Sequence, residues 1–176
     1  MNHAESKCAI DSICRKYGIT NYIINDDESI DVNDDVYLLF ARFTELPLTF
    51  NKVSGDFKCY SNYLTTLFGS PREVGGDFDC SGNELTTLEG CPIKVGGDFM
   101  CSENYLTSLV GIPSEVGRFI DFEINKLHPF YEKVYIELGN KLTIFIKYMK
   151  HCDVFEPVFN EQNGSDLIAE IKDGLK

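Results

Sequence analysis

The sequence predicts an α+β fold, a solenoid of about five 21-residue coils over residues 32–127, with non-repeating segments at both ends. Three observations lead to this prediction. A 21-residue unit recurs three times without a gap, and weaker copies of it stand on both sides. Helix and hairpin patterns occupy the two ends of the chain.

The clearest repeats are residues 53–73, 74–94 and 95–115, which agree at 12 and then 13 of 21 positions between successive copies. All three copies share valine, glycine, aspartate, phenylalanine, cysteine, asparagine, leucine, threonine, leucine, glycine and proline, in that order. The phenylalanine and cysteine alternate with period two, so we expect both to point inward from one short strand. The asparagine should turn the chain and bond the backbone of adjoining coils, because buried polar groups need partners.

Weaker copies of the unit flank the three clear ones. The downstream copy keeps the apolar and asparagine positions Val116, Ile120, Phe122, Asn125 and Leu127. The upstream copy keeps Val32, Asp35, Val36, Leu38, Phe43 and Leu46, but Ala41 stands where asparagine is expected. Imperfect terminal units are typical of a solenoid, since each lacks one neighbour.

The unit, read as Phe-x-Cys-x-x-Asn-x-Leu, matches the leucine-rich-repeat pattern at the short end of its length range. It resembles the short leucine-rich repeats of bacterial effector proteins. It resembles still more the GGDFxCSxNxLTSLxG repeats of tailed-bacteriophage proteins, whose lead-in is similar to NDDESIDVNDDVYL here. The resemblance covers residues 10–127 and implies a leucine-rich-repeat solenoid of viral origin, without implying an activity. The effector ligases carry a Cys-x-Asp nucleophile motif in a large domain, whereas His151-Cys152-Asp153 lacks that spacing and the tail is short.

Residues 1–31 predict an N-terminal cap made of a helix and a hairpin. Apolar residues recur at helical spacing over residues 4–17, and Gly18 is a natural stop. The runs TNYIIN and SIDVN, separated by acidic residues 26–28, predict a hairpin. Together they would cover the open edge of the first coil, which would otherwise favour aggregation.

Residues 128–176 predict a C-terminal helical cap within the same structural domain. His128-Pro129 interrupts the repeat, and the apolar spacing that follows indicates two or three short helices. We expect residues 160–164 to form a loop and Ser165-Asp166 to start the last helix.

Composition restricts the classes of partner. With 28 acidic and 16 basic residues, the net charge of −12 argues against binding nucleic acid or an anionic membrane directly. The N-terminus lacks a signal-peptide pattern, and no apolar run is long enough to cross a bilayer. The seven cysteines are an odd number, which favours reduced thiols and a cytoplasmic location, in the host cell if the protein is viral.

Motifs that suggest chemistry have simpler structural interpretations. The Cys59, Cys80 and Cys101 column lacks the two-to-four-residue spacing of zinc ligands and predicts a ladder of buried thiols. The Gly75-Gly76 pair lacks the following Lys-Ser/Thr of a phosphate loop. The column of Asp56, Asp77 and Asp98 could hold a cation, but we favour solvated acidic side chains, because no oxygen-rich loop completes such a site. None of the three histidines forms a nucleophile–base pair, so we predict neither a cofactor nor an enzyme.

The outward positions of the coils vary from one copy to the next, which is typical of a scaffold with a binding face. We predict non-catalytic protein binding through this acidic, strand-lined face, to a basic or DNA-binding protein. Given the resemblance, the partner would be a host or defence protein that is inhibited by occlusion. One alternative is a nucleic-acid mimic that blocks a DNA-binding enzyme, and another is a small enzyme in the C-terminal segment. The predicted contact residues are Asp56, Lys58, Tyr60, Asp77, Asp79, Asp98, Met100, Phe119, Asp121 and Glu123.

Overall fold

A computed structural model describes residues 3–123, 125–149, 151–155 and 159–176. The repeats form a β-solenoid in which consecutive parallel strands pair with a shift of 21 residues, as in Phe57↔Phe78 and Phe78↔Phe99. Each turn contributes two short strands, one to each of two sheets. The predicted solenoid and its repeat length are therefore confirmed.

The valine sheet, named for its inward residue, has strand order β1-β2-β4-β6-β8-β10. Its strands are β1 (Tyr22–Ile24), β2 (Ile30–Val32), β4 (Phe50–Val53), β6 (Glu73–Val74), β8 (Lys94–Val95) and β10 (Glu115–Val116). The phenylalanine sheet has the order β11-β9-β7-β5-β3. Its strands are β3 (Val36–Tyr37), β5 (Phe57–Lys58), β7 (Phe78–Asp79), β9 (Phe99–Met100) and β11 (Ile120–Asp121).

Two strands per coil are one more than the sequence predicted. The chain turns between them at the Gly-Gly pair, where successive coils approach closely. A Cβ atom on Gly75 would lie 2.1 Å from the carbonyl oxygen of Ser54, so only glycine fits there. The Gly-Gly pair is therefore a corner between two strands.

The interior is built from the predicted inward columns. Phe57, Phe78 and Phe99 are fully buried and stack in near-parallel planes, with ring centroids 5.6 and 5.8 Å apart. Cys59, Cys80 and Cys101 and the leucine columns fill the space behind them, also fully buried. Burial of these repeated apolar side chains is the main stabilising contribution to the coils.

A ladder of buried asparagines fixes the turn after the phenylalanine sheet. The amide nitrogen of Asn83 donates to the carbonyl oxygens of Cys80 in its own coil and Cys59 in the preceding coil, at 3.0 and 3.1 Å. Its carbonyl oxygen accepts from the N–H of Leu64, at 3.0 Å. Asn62, Asn104 and Asn125 repeat this arrangement, so the predicted role of the asparagine column is confirmed.

The N-terminal segment forms the predicted helix α1 (His3–Lys16) and the predicted hairpin, in which β1 and β2 are antiparallel. β2 then pairs in parallel with β4, so the hairpin continues the valine sheet. The Tyr22 hydroxyl donates to Asp11 at 2.6 Å, and the Tyr17 ring packs edge-on against Phe43 at 5.2 Å. These contacts join the helix to the hairpin and to the first part of the solenoid.

The C-terminal segment contains α2 (Phe130–Leu138), a 3₁₀ turn (Gly139–Lys141), α3 (Leu142–Tyr148) and α4 (Glu161–Lys172). Two of its side chains bond the last strands of the solenoid: the Ile120 N–H donates to the Tyr135 hydroxyl at 3.2 Å, and the Asn140 amide donates to the Val116 carbonyl at 3.3 Å. Among the described residues, no helix is long and apolar enough to cross a membrane.

The predicted loop over residues 160–164 is wrong, since α4 begins at Glu161 rather than at Ser165. The side chain of Asn160 accepts a hydrogen bond from the N–H of Asn163 at 3.0 Å and so caps the helix one turn earlier. Gly164, which suggested a loop, is a buried helical residue packed against the Phe130 ring.

Candidate protein-binding surface

The structure brings the ten predicted contact residues to the outward side of the phenylalanine sheet and its two borders, a surface we call the strand face. The central column is Tyr37, Lys58, Asp79, Met100 and Asp121, which lie opposite one another in adjacent strands. The column before it contains Asp56, Asp77, Asp98 and Phe119, and the column after it contains Tyr60 and Glu123.

The column that contains Asp56, Asp77 and Asp98 is a hydrogen-bond ladder, so the expectation of freely solvated carboxylates is wrong. Oδ1 of each aspartate accepts from the backbone N–H of its counterpart in the next coil. This bond measures 2.9 Å both from Asp77 N to Asp56 and from Asp98 N to Asp77, and 3.1 Å from Phe119 N to Asp98. Asp35 starts the ladder with the same bond, at 2.7 Å to the N–H of Asp56. The aspartates therefore join the coils at the glycine corner, as the asparagines do at the other end of the strand.

Two basic side chains partly neutralise this ladder. The guanidinium of Arg118 lies 2.6 Å from Asp77 and 3.3 Å from Asp98, and Lys58 lies 2.9 Å from Asp56. Burial disfavours the Asp77 carboxylate, but the N–H of Asp98 and the guanidinium of Arg118 outweigh it and lower the pKa of Asp77. No group of three or more histidine, cysteine or acidic side chains able to hold a metal occurs among the described residues.

Asp79, Asp121 and Glu123 are the acids of the strand face that lack a basic partner within ion-pair distance in the described part of the chain. Asp79 accepts from the N–H of Ser81 at 2.9 Å, and Asp121 accepts from the N–H of Glu123 at 3.1 Å. Burial raises the pKa of Asp79 above its ordinary value, although the bond from Ser81 opposes the shift. These three carboxylates carry most of the net negative charge of the surface.

Exposed aromatic rings lie at both ends of the strand face. Tyr37 is 48% exposed and Phe40 is 70% exposed, and the Phe40 ring packs edge-on against Tyr60 at 5.6 Å. Phe119, at the other end, is 50% exposed. Sequence reasoning missed Tyr37 and Phe40, although the 21-residue register places Tyr37 in the same column as Lys58.

The outward side of the valine sheet differs in charge. Its column of Lys52, Glu73, Lys94 and Glu115 alternates in sign, and Nζ–Oε2 distances of 3.1 and 2.9 Å join the first and second pairs. Charges that are paired within the chain are less available to an outside partner. The strand face is therefore the more acidic of the two surfaces.

A cleft of about 490 Å³ adjoins the C-terminal end of the strand face, between β11 and α2. Phe119, Phe122, Tyr135 and Ile136 contribute its apolar lining. Sequence reasoning missed this cleft, because it depends on how α2 packs against the last coil.

The cysteine and histidine residues show no reactive arrangement among the described residues. All seven thiols are free, and burial raises the pKa of Cys59, Cys80 and Cys101. Burial also raises the pKa of Cys152, which opposes formation of the nucleophilic thiolate, and the adjacent His151 is exposed.

Comparison with family models, with curated proteins and with solved structures returned no match.

Proposed function

We propose that the protein is a non-catalytic protein-binding module that uses the strand face. One observation carries the proposal: the inward and outward columns of the same five strands differ in how much they vary. The inward column is apolar throughout, whereas the outward column runs through tyrosine, lysine, aspartate, methionine and aspartate. Fixed inward residues maintain the coil, so the outward residues are free to match a partner.

Charge and hydrophobicity define the kind of partner. Asp79, Asp121 and Glu123 offer carboxylates that are not ion-paired among the described residues, and Tyr60 and Phe119 flank them with aromatic surface. Such a surface complements a basic patch that also contains apolar side chains. Acidic attraction would accelerate the encounter, and burial of the aromatic rings would contribute most of the affinity.

The resemblance to phage repeat proteins extends the proposal to the identity of the partner. It favours a leucine-rich-repeat solenoid, and contacts of the N-terminal helix and the C-terminal helices with the first and last coils support their role as caps. It also favours a host or defence protein as the partner, inhibited because the solenoid covers its working surface.

The nucleic-acid mimic receives less support from the geometry. A mimic needs rows of unpaired carboxylates that imitate phosphates, whereas Asp56, Asp77 and Asp98 each bond a backbone N–H. Lys58 and Arg118 also neutralise most of the charge of that row.

The test is capture of a partner from a bacterial lysate by immobilised protein, with two variants of equal charge. The first variant, Asp79→Asn/Asp121→Asn/Glu123→Gln, removes three charges of the strand face. At positions 79 and 121 it retains a side-chain oxygen that can accept the N–H two residues further on. The matched control, Glu45→Gln/Glu84→Gln/Glu89→Gln, removes three exposed charges elsewhere on the coils. We expect the first variant to lose the captured protein and the control to retain it. Equal capture by both variants would exclude the strand face as the binding surface.

A further inference from the structure

We propose that the cleft between β11 and α2 seats an extended, positively charged segment of the protein partner. This inference deepens the proposed function and rests on it, because Phe119, Asp121 and Glu123 belong to both surfaces. Three independent features of the cleft support it: its apolar wall, an open backbone donor and the sign of its charge.

The apolar wall contains two side chains whose exposure is costly. Ile136 is 83% exposed on α2, whose opposite side packs into the core through Val134 and Leu138. Phe119 stands in the column where the preceding coils carry aspartate, and it packs edge-on against Tyr135 at 6.2 Å. A partner that covers Ile136 and Phe119 removes their apolar surface from water, which favours binding.

The open backbone donor is the N–H of Phe122. In the earlier coils the equivalent N–H groups, those of Leu38, Cys59, Cys80 and Cys101, donate to a carbonyl of the next coil at 2.8 to 2.9 Å. No further coil follows Phe122, and its N–H has no acceptor among the described residues. The neighbouring donor at the same edge, Ile120 N–H, is already bonded to the Tyr135 hydroxyl. An N–H at the open edge of a sheet can donate to a ligand, so the cleft is suited to one that supplies a carbonyl oxygen, as an extended peptide does.

The charge of the cleft selects a basic segment. Its described lining contains the carboxylates of Asp121, Glu123 and Glu132 and the ring of His128, with no lysine or arginine. The Nδ1 atom of His128 accepts a hydrogen bond from the N–H of Phe130, at 3.2 Å. A segment with lysine or arginine next to an apolar residue would pair with the acids and fill the apolar wall.

A second copy of this chain is a poorer occupant. Each copy carries a net charge of −12, so the two copies repel each other at long range, and the cleft itself is acidic. A basic partner is attracted at long range by the net charge of the chain and at short range by the acids of the cleft.

The test uses a fluorescent, acetylated and amidated seven-residue peptide that alternates lysine and valine, with a glutamate–valine peptide as the charge control. We expect the lysine peptide alone to bind, by fluorescence anisotropy. In ¹⁵N-resolved NMR spectra it should shift the Phe122 amide proton downfield and slow its exchange. We expect Ile136→Ser to weaken binding about tenfold, which corresponds to about 1.4 kcal/mol. We expect Glu132→Gln to weaken it about threefold and to reduce its dependence on salt.

Matched controls are Ile93→Ser, which alters an exposed isoleucine just before β8, and Glu89→Gln, which alters an exposed glutamate of a coil. Both should bind the peptide as the unaltered protein does. Binding that is insensitive to Ile136→Ser, an unmoved Phe122 amide, or equal binding of the glutamate peptide would each overturn the proposal. So would a dimer, detected by sedimentation, that Ile136→Ser abolishes, because the occupant would then be a second copy.

The same variants separate this inference from the proposed function. If Ile136→Ser retains the partner captured from a lysate while the strand-face variant loses it, the cleft assignment fails and the strand face stands. If neither variant changes capture, both fail.

Discussion

The carboxylate of Asp77 accepts a hydrogen bond from the backbone N–H of Asp98, its counterpart in the next coil, with 2.9 Å between oxygen and nitrogen. The same relationship recurs at each glycine corner from Asp35 onward. An acidic column that suggested a binding site is therefore part of the scaffold, and its contribution to stability can be measured.

Replacing Asp77 by alanine should lower the free energy of unfolding by about 1–3 kcal/mol, because the N–H of Asp98 loses its acceptor and the guanidinium of Arg118 loses the nearer of its two carboxylates. Urea denaturation followed by circular dichroism measures the change. Glu84→Ala, at an exposed position of the same coil, is the control and should change stability by less than about 0.5 kcal/mol. Equal effects of the two substitutions would contradict the structural role of Asp77.

The pH dependence of stability should distinguish Asp77 from Asp79. The folded-state pKa of Asp77 is lowered, so its ionised form stabilises the protein at neutral pH, and this contribution is lost as the pH falls below about 3.8. The folded-state pKa of Asp79 is raised, so its ionisation destabilises the protein at neutral pH, and this penalty disappears as the pH falls through the folded-state value. We therefore expect Asp77→Asn to lower stability at pH 7 and Asp79→Asn to raise it.

Urea titrations of both variants and of the unaltered protein at pH 7, 5, 4 and 3 measure these differences. The Asp79 difference should shrink toward pH 4, whereas the Asp77 difference should persist at pH 4 and shrink only at pH 3, below the pKa of the unfolded chain. Differences of the same sign for the two variants at pH 7 would show that the environments of the two carboxylates are assigned wrongly.

The repeat columns explain why so much of the coil could be predicted from the sequence and why the rest could not. Phe78, Cys80 and Asn83 recur every 21 residues, and each has one structural role that its chemistry and spacing indicate. The role of Asp77 depends on a backbone N–H in another coil and on Arg118, 41 residues away, which spacing alone does not reveal. The cleft beside Ile136 likewise follows from tertiary packing of a helix that has no repeat register.

Gly164 is a residue whose low helix propensity suggests a loop, although it lies within α4. Glycine disfavours helix by about 1 kcal/mol relative to alanine, so Gly164→Ala would ordinarily stabilise α4. Here the added Cβ atom would lie 2.6 Å from the Phe130 ring, so we expect a net loss of stability of about 1–3 kcal/mol from overpacking. Thermal unfolding measures the loss, with Gln162→Ala at an exposed site of the same helix as the control. An increase in melting temperature for Gly164→Ala would contradict the close packing of α4 on α2.

The rate of thiol labelling should distinguish exposed cysteines from buried ones. Cys14, Cys59, Cys80 and Cys101 have no exposed surface, and burial raises the pKa of each, so both access and thiolate formation are suppressed in the folded protein. Cys8 is exposed on α1 and should react first with iodoacetamide. We expect the four buried thiols to react at least about a thousandfold more slowly, since they become accessible only when the coils open, at a cost of about 5 kcal/mol or more. Mass spectrometry of the labelled peptides, with Cys8→Ser as the control for the fast phase, measures the two classes. Rapid labelling of Cys80 in the folded protein would contradict the continuous thiol ladder and the closed solenoid interior on which the strand face depends.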